Sequence, residues 1–234
     1  MNIFRFLSHR LNILACPGCG DGDGGGINDL CESCRSKILF FGDSCCYSCG
    51  GELDGVLSCC SKCMKEDKRP FVEAVSVFSY QSFGKKIILD FKSRDMLPFA
   101  RIFGHMAAER IKSACQDWDF DMVVPVPLHW SRKFSRTYNQ SELFSSFMAA
   151  ELGVPMVKNA LRRIKRTRSQ KFLSGEERHK NLRDAFRGVR NIVEKRSILL
   201  TDDVFTTGAT LSCAAKALLD AGAAKVYVLS VARA

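Results

Sequence analysis

Ten of the twelve cysteines of this 234-residue chain fall before residue 64, and eight of them form four C-x-x-C pairs: Cys16/Cys19, Cys31/Cys34, Cys46/Cys49 and Cys60/Cys63. Successive pairs are separated by eleven, eleven and ten residues, so the pattern is a repeat. Two thiolates two residues apart on a tight turn grip one side of a metal ion, and a tetrahedral zinc site needs two such pairs. Four pairs therefore predict two structural zinc ions. The glycines after Cys19 and Cys49, in CPGCG and CYSCGG, let the backbone turn with positive φ and aim its amides at sulfur. Which pair joins which stays open, and Cys45 and Cys59, each directly before a ligand, could replace Cys46 or Cys60. Disulfides and thiol redox chemistry are the competing uses of such cysteines. Against an exported, oxidised protein, the first fifteen residues, MNIFRFLSHRLNILA, interleave Arg5, His9 and Arg10 with apolar positions and lack the unbroken core of a secretory signal. That stretch reads as a helix docking on its own protein, with a membrane-surface helix as the alternative. No run reaches the eighteen or so apolar residues of a membrane span. A cytoplasmic protein is expected.

Between the first two pairs, GDGDGG (20–25) matches G-x-G-x-x-G formally. A dinucleotide fingerprint needs a strand before it and a helix after it, and metal knuckles flank this one, so it reads as a loop. From about residue 70 the texture changes, which predicts two units, 1–68 and 69–234. With 46% apolar residues the chain can bury a sizeable core. Strand-like VEAVSVFSY (72–80) is followed by helices over 85–91 and 99–115, the latter with Phe99, Ile102, Phe103 and Met106 on one face. Then come a strand ended by prolines (121–127), a helix over 141–151, a short strand after Gly153, the strand SILLTDD, a helix over 211–220 and a last strand from Lys225. Alternating strands and helices imply an α/β fold with a mostly parallel sheet covered by helices on both faces. Ligands of such folds sit at the carboxyl ends of strands.

One stretch occupies such a place: ILLTDDVFTTGAT, residues 198–210. Its aspartates end a buried strand, and Thr206–Thr210 run into the start of a helix, where free amides and the positive dipole end receive anions. Gly208 permits close approach, and the hydroxyls of Thr206, Thr207 and Thr210 add donors. No lysine follows the glycine, and the triphosphate pattern G-x-x-x-x-G-K-[ST] is absent from the chain, so a monophosphate fits better. Two carboxylates, Asp202 and Asp203, need a neutralising partner, and ribose hydroxyls or a metal ion would serve. The ligand expected is a ribose 5-phosphate; aspartates as plain helix caps are the alternative.

The same residues resemble the phosphoribosyl pyrophosphate (PRPP) motif of type I phosphoribosyltransferases. The chain as a whole resembles the ComF family of competence proteins, in which a double zinc ribbon precedes a phosphoribosyltransferase-like domain. The supporting stretches are VPVPLHWSRKFSRTYNQSEL (124–143), RTRSQKFLSGEERHKNLRDAF (166–186) and ALLDAGAAKVYVLSVARA at the end. Thr137 and Tyr138 stand where the family often has Gly-Phe, and Thr201 where an aliphatic residue is usual. The resemblance implies that Asp202 and Asp203 bind the ribose hydroxyls, that Thr206, Thr207, Gly208, Ala209 and Thr210 hold the 5-phosphate, and that Mg2+ bridges hydroxyls and pyrophosphate. Pro127, Leu128, His129 and Arg132 match the loop that holds pyrophosphate. In a transfer reaction, pyrophosphate departure leaves an oxocarbenium-like ribose, and Asp202 and Asp203 with the metal would stabilise that charge.

A second feature lies between Lys158 and Arg196, where fourteen Lys and Arg face four acidic residues, a net of +10 equal to that of the whole chain. Charge this concentrated predicts a phosphate-backbone binder, with Arg162, Arg163, Lys165, Arg166 and Arg168 as the contacts. Trp130, Tyr138 and Phe172 are candidates to stack on bases, or pack in the core. The same segment could be a flap over pyrophosphate or a solvated face. Two functions follow. The first is binding of PRPP as a regulator or structural ligand together with single-stranded DNA, in the DNA uptake that the family resemblance implies, alongside a helicase. The second is catalytic phosphoribosyl transfer to a base or an amine.

Overall fold

The computed structural model describes residues 15–21, 29–53, 55, 57–65, 68–92, 97–128, 138–164 and 184–234. Six strands are present among them: β1 (Ala74–Ser79), β2 (Met122–Pro125), β3 (Leu161–Arg163), β4 (Phe186–Gly188), β5 (Ser197–Phe205) and β6 (Lys225–Arg233). Four of these form one sheet in the order β1-β6-β5-β2, every pairing parallel. Ile198, Leu199 and Leu200 are fully buried, so β5 is apolar on both sides, as a central parallel strand must be.

Alternate residues feed two cores. Val75, Val77, Val123, Leu199, Leu229 and Val231 meet α3 (Ser82–Phe91), α4 (Pro98–Ala114) and α5 (Gln140–Leu152) through Phe91, Phe99, Phe103, Phe144 and Met148. Phe99, Ile102, Phe103 and Met106 are all buried, as their spacing predicts. On the other face, Ile198, Leu200, Val226 and Val228 meet α7 (Ala209–Asp220) through Leu211, Ala214, Ala215 and Leu218. The antiparallel pair β3–β4 packs there too, its ladder continued by Ile164 N–H donating to the Ala185 carbonyl at 2.8 Å. The sheet is therefore covered by helices on both faces.

Several boundaries differ from expectation. β5 continues past the aspartates to Phe205, because β6 supplies partners as far as Ala232 and Arg233. α3 begins at Ser82 rather than Lys85, and α7 at Ala209 rather than Leu211, directly after Gly208 at φ +78°. The stretch after Gly153 makes only one bridge, Met156 to Val123, before a short 3-10 turn at Lys158–Ala160 leads into β3. A helical turn, α6 (Arg190–Val193), had no expectation attached to it.

The cysteine-rich segment holds two four-residue helices, α1 (Glu32–Arg35) and α2 (Ser61–Met64). Between them the chain runs along the free edge of β1: Phe41 N–H donates to the Val77 carbonyl at 3.1 Å and Ser79 N–H to that of Leu39 at 2.9 Å. Cys16 and Cys34 belong to the first core; Cys46, Cys49, Cys59 and Cys63 belong to the second. Among the described residues no helix is long and apolar enough to cross a membrane. Residues 1–14 and 22–28, with the expected N-terminal helix and most of the glycine-rich loop, lie outside the described residues.

Candidate functional site

Cys16, Cys19, Cys31 and Cys34 form one cluster and Cys46, Cys49, Cys60 and Cys63 another, each with its sulfurs within 4.8 Å of one another. Successive pairs join, so the open question of partnership closes in favour of first with second and third with fourth. Thiolates about 2.3 Å from a tetrahedral zinc stand roughly 3.8 Å apart. Cys19 and Cys31 are 3.8 Å apart and Cys49 and Cys60 are 4.0 Å apart, so the donor sets could hold zinc. Gly20 and Gly50 take φ +85° and +65°, as the turns require. Amides aim at sulfur: Gly18 and Cys31 N–H groups donate to Cys16 Sγ at 3.4 and 3.3 Å, and Cys60 N–H donates to Cys46 Sγ at 3.3 Å. Burial pushes the Cys16 thiol up, but the amides of Cys31, Cys19 and Gly18 outweigh it and hold the thiol at about 7. Cys60 is also held at about 7, burial being outweighed by the Cys63 amide and neighbouring thiols. Cys45 turns away to the Gly42 carbonyl and the Arg110 guanidinium, at 3.4 and 3.2 Å. Cys59 lies 3.9 Å from Cys46 without joining the four.

In the second half of β5, Asp202 and Asp203 sit where three distant segments converge. Asp202 Oδ1 accepts from Ser141 Oγ, on the first turn of α5, and from Asp203 N–H, both at 2.9 Å. Asp203 pairs with Lys92, the cap of α3, at 3.0 Å, the two side chains only 16% and 22% exposed. Burial first, then the neighbouring Asp203 charge, pushes the Asp202 carboxyl up to about 7, while Ser141, the Asp203 amide and Lys92 pull the other way. Beneath them Thr201 and Ser145 share a buried hydroxyl hydrogen bond of 2.7 Å. That pair accounts for a threonine where an apolar residue would otherwise fill the core.

Thr206, Thr207, Gly208, Ala209 and Thr210 follow as the turn into α7, whose twelve residues direct the positive end of the dipole at the turn. Ala209 N–H reaches Thr207 Oγ1 at 3.4 Å. A Cβ on Gly208 would run into Arg69 Nη1 and come within 2.7 Å of Phe205 Cζ, so glycine is needed for both space and φ. Pro127 and Leu128 begin a loop directly beside the aspartates, because Val126 N–H donates to the Thr201 carbonyl at 2.9 Å. His129 and Arg132 lie outside the described residues, as do Lys165, Arg166, Arg168, Trp130 and Phe172. Arg162 is exposed on β3, and Arg163 stacks over the Phe186 ring at 5.3 Å. Not all of the basic run is free charge: Lys158, Arg190 and Arg196 pair with Glu142, Glu194 and Asp121. Tyr138 packs against Phe91 at 6.4 Å and donates to its carbonyl at 3.1 Å, so it lies on the core rim.

Sequence reasoning missed Lys92, Ser141, Arg69 and Arg233. In the sequence Ser141 signals only a helix start, and Lys92 carries no signal. Arg69 sat in the change of texture near residue 70. It borders an open cleft of about 310 Å³ with Cys59, Cys63 and Tyr47, away from the aspartates. His105 is exposed beside Glu109 and Glu151, and Lys112 already bridges those two acids at 3.4 and 2.9 Å.

No protein-family model matches the chain. It is 30% identical over 213 residues to competence protein F of Haemophilus influenzae, covering 88% of this chain and 91% of that protein. It is equally 30% identical over 213 residues to DNA utilization protein YhgH of Salmonella typhimurium (89% and 90% covered), and 28% identical over 201 residues to competence protein ComFC of Bacillus subtilis (83% and 80%). Among solved structures it is similar to the glutamine PRPP amidotransferase of B. subtilis, at 24% identity and TM-score 0.41 over 58% of this chain. The match spans only 26% of that amidotransferase. Adenine phosphoribosyltransferase of Leishmania tarentolae matches at 13% identity and TM-score 0.41, over 72% of this chain and 94% of that one. By its sheet and clusters the chain is an α/β protein with a parallel sheet between helices, preceded by a cysteine-rich segment with two four-cysteine clusters. It belongs to the ComF family of competence proteins.

Proposed function

We propose that the chain binds PRPP with Mg2+ at the end of β5, carries one structural zinc ion in each cysteine cluster, and handles single-stranded DNA in the cytoplasm during natural transformation, alongside a helicase. The observation that carries the PRPP reading is the placing of two half-buried carboxylates, Asp202 and Asp203, a few residues before a glycine-capped helix start. In that reading the aspartates take the ribose hydroxyls, and Thr206–Thr210 take the 5-phosphate on amides and hydroxyls. The loop from Pro127 through Leu128, His129 and Arg132 takes pyrophosphate. Magnesium supplies the positive charge that neutralises the pyrophosphate and the carboxylates. The DNA reading is supported by the basic segment and by relatives named for competence and DNA utilization. Calorimetry with PRPP, with and without Mg2+, tests the first part, and absence of binding in both refutes it. Anisotropy of a labelled oligonucleotide across salt tests the second.

One observation favours catalysis as a second reading. Asp202 lies beside Asp203 and accepts from Ser141 Oγ at 2.9 Å, and with its carboxyl pushed up to about 7 by burial and the Asp203 charge it would take a proton from an acceptor as pyrophosphate departs. Sustained pyrophosphate release that requires one added base or amine would establish the transferase.

A further inference from the structure

The back of the turn into α7 is held by a residue 138 positions away in the sequence. Arg69 Nη1 donates to the Thr207 carbonyl at 3.2 Å and lies 3.5 Å from Ser212 Oγ, inside the first turn of α7. Its guanidinium lies over the Phe205 ring at 5.3 Å, and Arg233 lies over the same ring at 5.1 Å. In a trans peptide the carbonyl and the following N–H point in opposite directions. The described peptides include no cis bond, so a Thr207 carbonyl turned to Arg69 directs the Gly208 N–H to the opposite side. Among the described residues that N–H meets no backbone acceptor. A turn that receives an anion needs this arrangement, with amides inward and carbonyls outward.

We infer that Arg69 is a positioning residue for phosphate binding: by holding the Thr207 carbonyl at the back of the turn, it aims the Gly208 amide at the phosphate of a ribose 5-phosphate. This rests on the ribose-phosphate reading of the turn. Arg69 does not touch the ligand. It acts through one peptide plane, and Gly208 is the residue that leaves room for its guanidinium.

The test is calorimetry on the full chain with two probes, ribose 5-phosphate and magnesium pyrophosphate, for wild type, Arg69→Met and Arg69→Lys, each checked by thermal melting. Arg69→Met is expected to weaken ribose 5-phosphate about tenfold, the scale of one charge-assisted hydrogen bond. Pyrophosphate affinity should change little, because Pro127 and Leu128, where its loop begins, follow β2 on the other side of the aspartates. Arg69→Lys, which keeps a cationic donor, should recover part of the loss. Arg69→Ala, which also removes the donor, takes the place of the Met variant should that fail to fold, with the same loss expected. Unchanged ribose 5-phosphate affinity overturns the inference, and so does an equal loss for both probes, which would make Arg69 a general prop of the fold. Failure of the wild type to bind either probe instead removes the ribose-phosphate reading, and the inference with it.

Discussion

Replacing Asp202 by Asn should stabilise the ligand-free chain while removing PRPP binding, and the gain should depend on pH. In the unfolded chain the carboxyl titrates at its ordinary 3.8, whereas burial and the Asp203 charge hold it at about 7 in the fold. Between those values the folded chain binds the proton more tightly, so stability falls as pH rises, by up to about 1.4 kcal/mol per pH unit. Above pH 7 the ionised Asp202 costs the fold on the order of 4 kcal/mol at most, and relaxation around a half-buried group lowers that figure. Asn keeps an oxygen for the Ser141 hydroxyl and the Asp203 amide, each 2.9 Å from Asp202 Oδ1, and carries no charge. Urea unfolding followed by circular dichroism at pH 5, 6, 7 and 8 should show the variant gaining on wild type by roughly 2–3 kcal/mol between pH 5 and 7, then levelling. A gap that stays flat with pH, or that favours wild type increasingly as pH rises, refutes the account of Asp202 as a carboxylate strained by its site.

Cys60→Ser should lose one of two zinc ions per chain on metal analysis and Cys59→Ser neither; equal loss from both would put Cys59 inside the second cluster. Gly208→Ala, forced into left-handed backbone with a Cβ 2.7 Å from Phe205 Cζ, should lose roughly 2–4 kcal/mol in urea unfolding, and a neutral result would contradict the cap geometry. Changing Arg162, Arg163, Lys165, Arg166 and Arg168 to Gln should flatten the salt dependence of single-stranded DNA binding by up to about three slope units, at roughly 0.7 per phosphate contact. An unchanged slope with reduced PRPP affinity would make the segment a flap.

What could be read from the sequence was local. Cysteine spacing is legible because a metal imposes its geometry on residues two apart, and the apolar run Ile198–Leu200 because a central parallel strand is buried on both sides. Choosing Cys46 over Cys45 was not legible: both are adjacent thiols, and the choice is made by Arg110, 65 residues from Cys45, which draws that sulfur away. The end of β5 was misplaced because its length is set by its partner β6, not by its own composition. The site divides in the same way. Asp202 to Thr210 are contiguous and could be seen, whereas Ser141 and Arg69 reach them across 61 and 138 residues, distances at which spacing carries no information.

The placing of the clusters explains why a cysteine-rich segment should accompany such a site at all. A four-stranded sheet leaves β1 as an exposed edge, and the strand-like residues Leu39–Phe41 close it. One cluster grips each side of that edge, so metal binding would contribute its free energy where a small sheet is weakest. Each also leans on an element that ends at the site. The first cluster meets α3, with Lys86 Nζ donating to the Gly18 carbonyl at 3.1 Å, and the cap of α3 is Lys92, the partner of Asp203. The second sits against β6 through Gly51, beside Arg233, whose guanidinium lies over Phe205 three residues before Gly208. The aspartates and the turn into α7 are thus backed by different clusters.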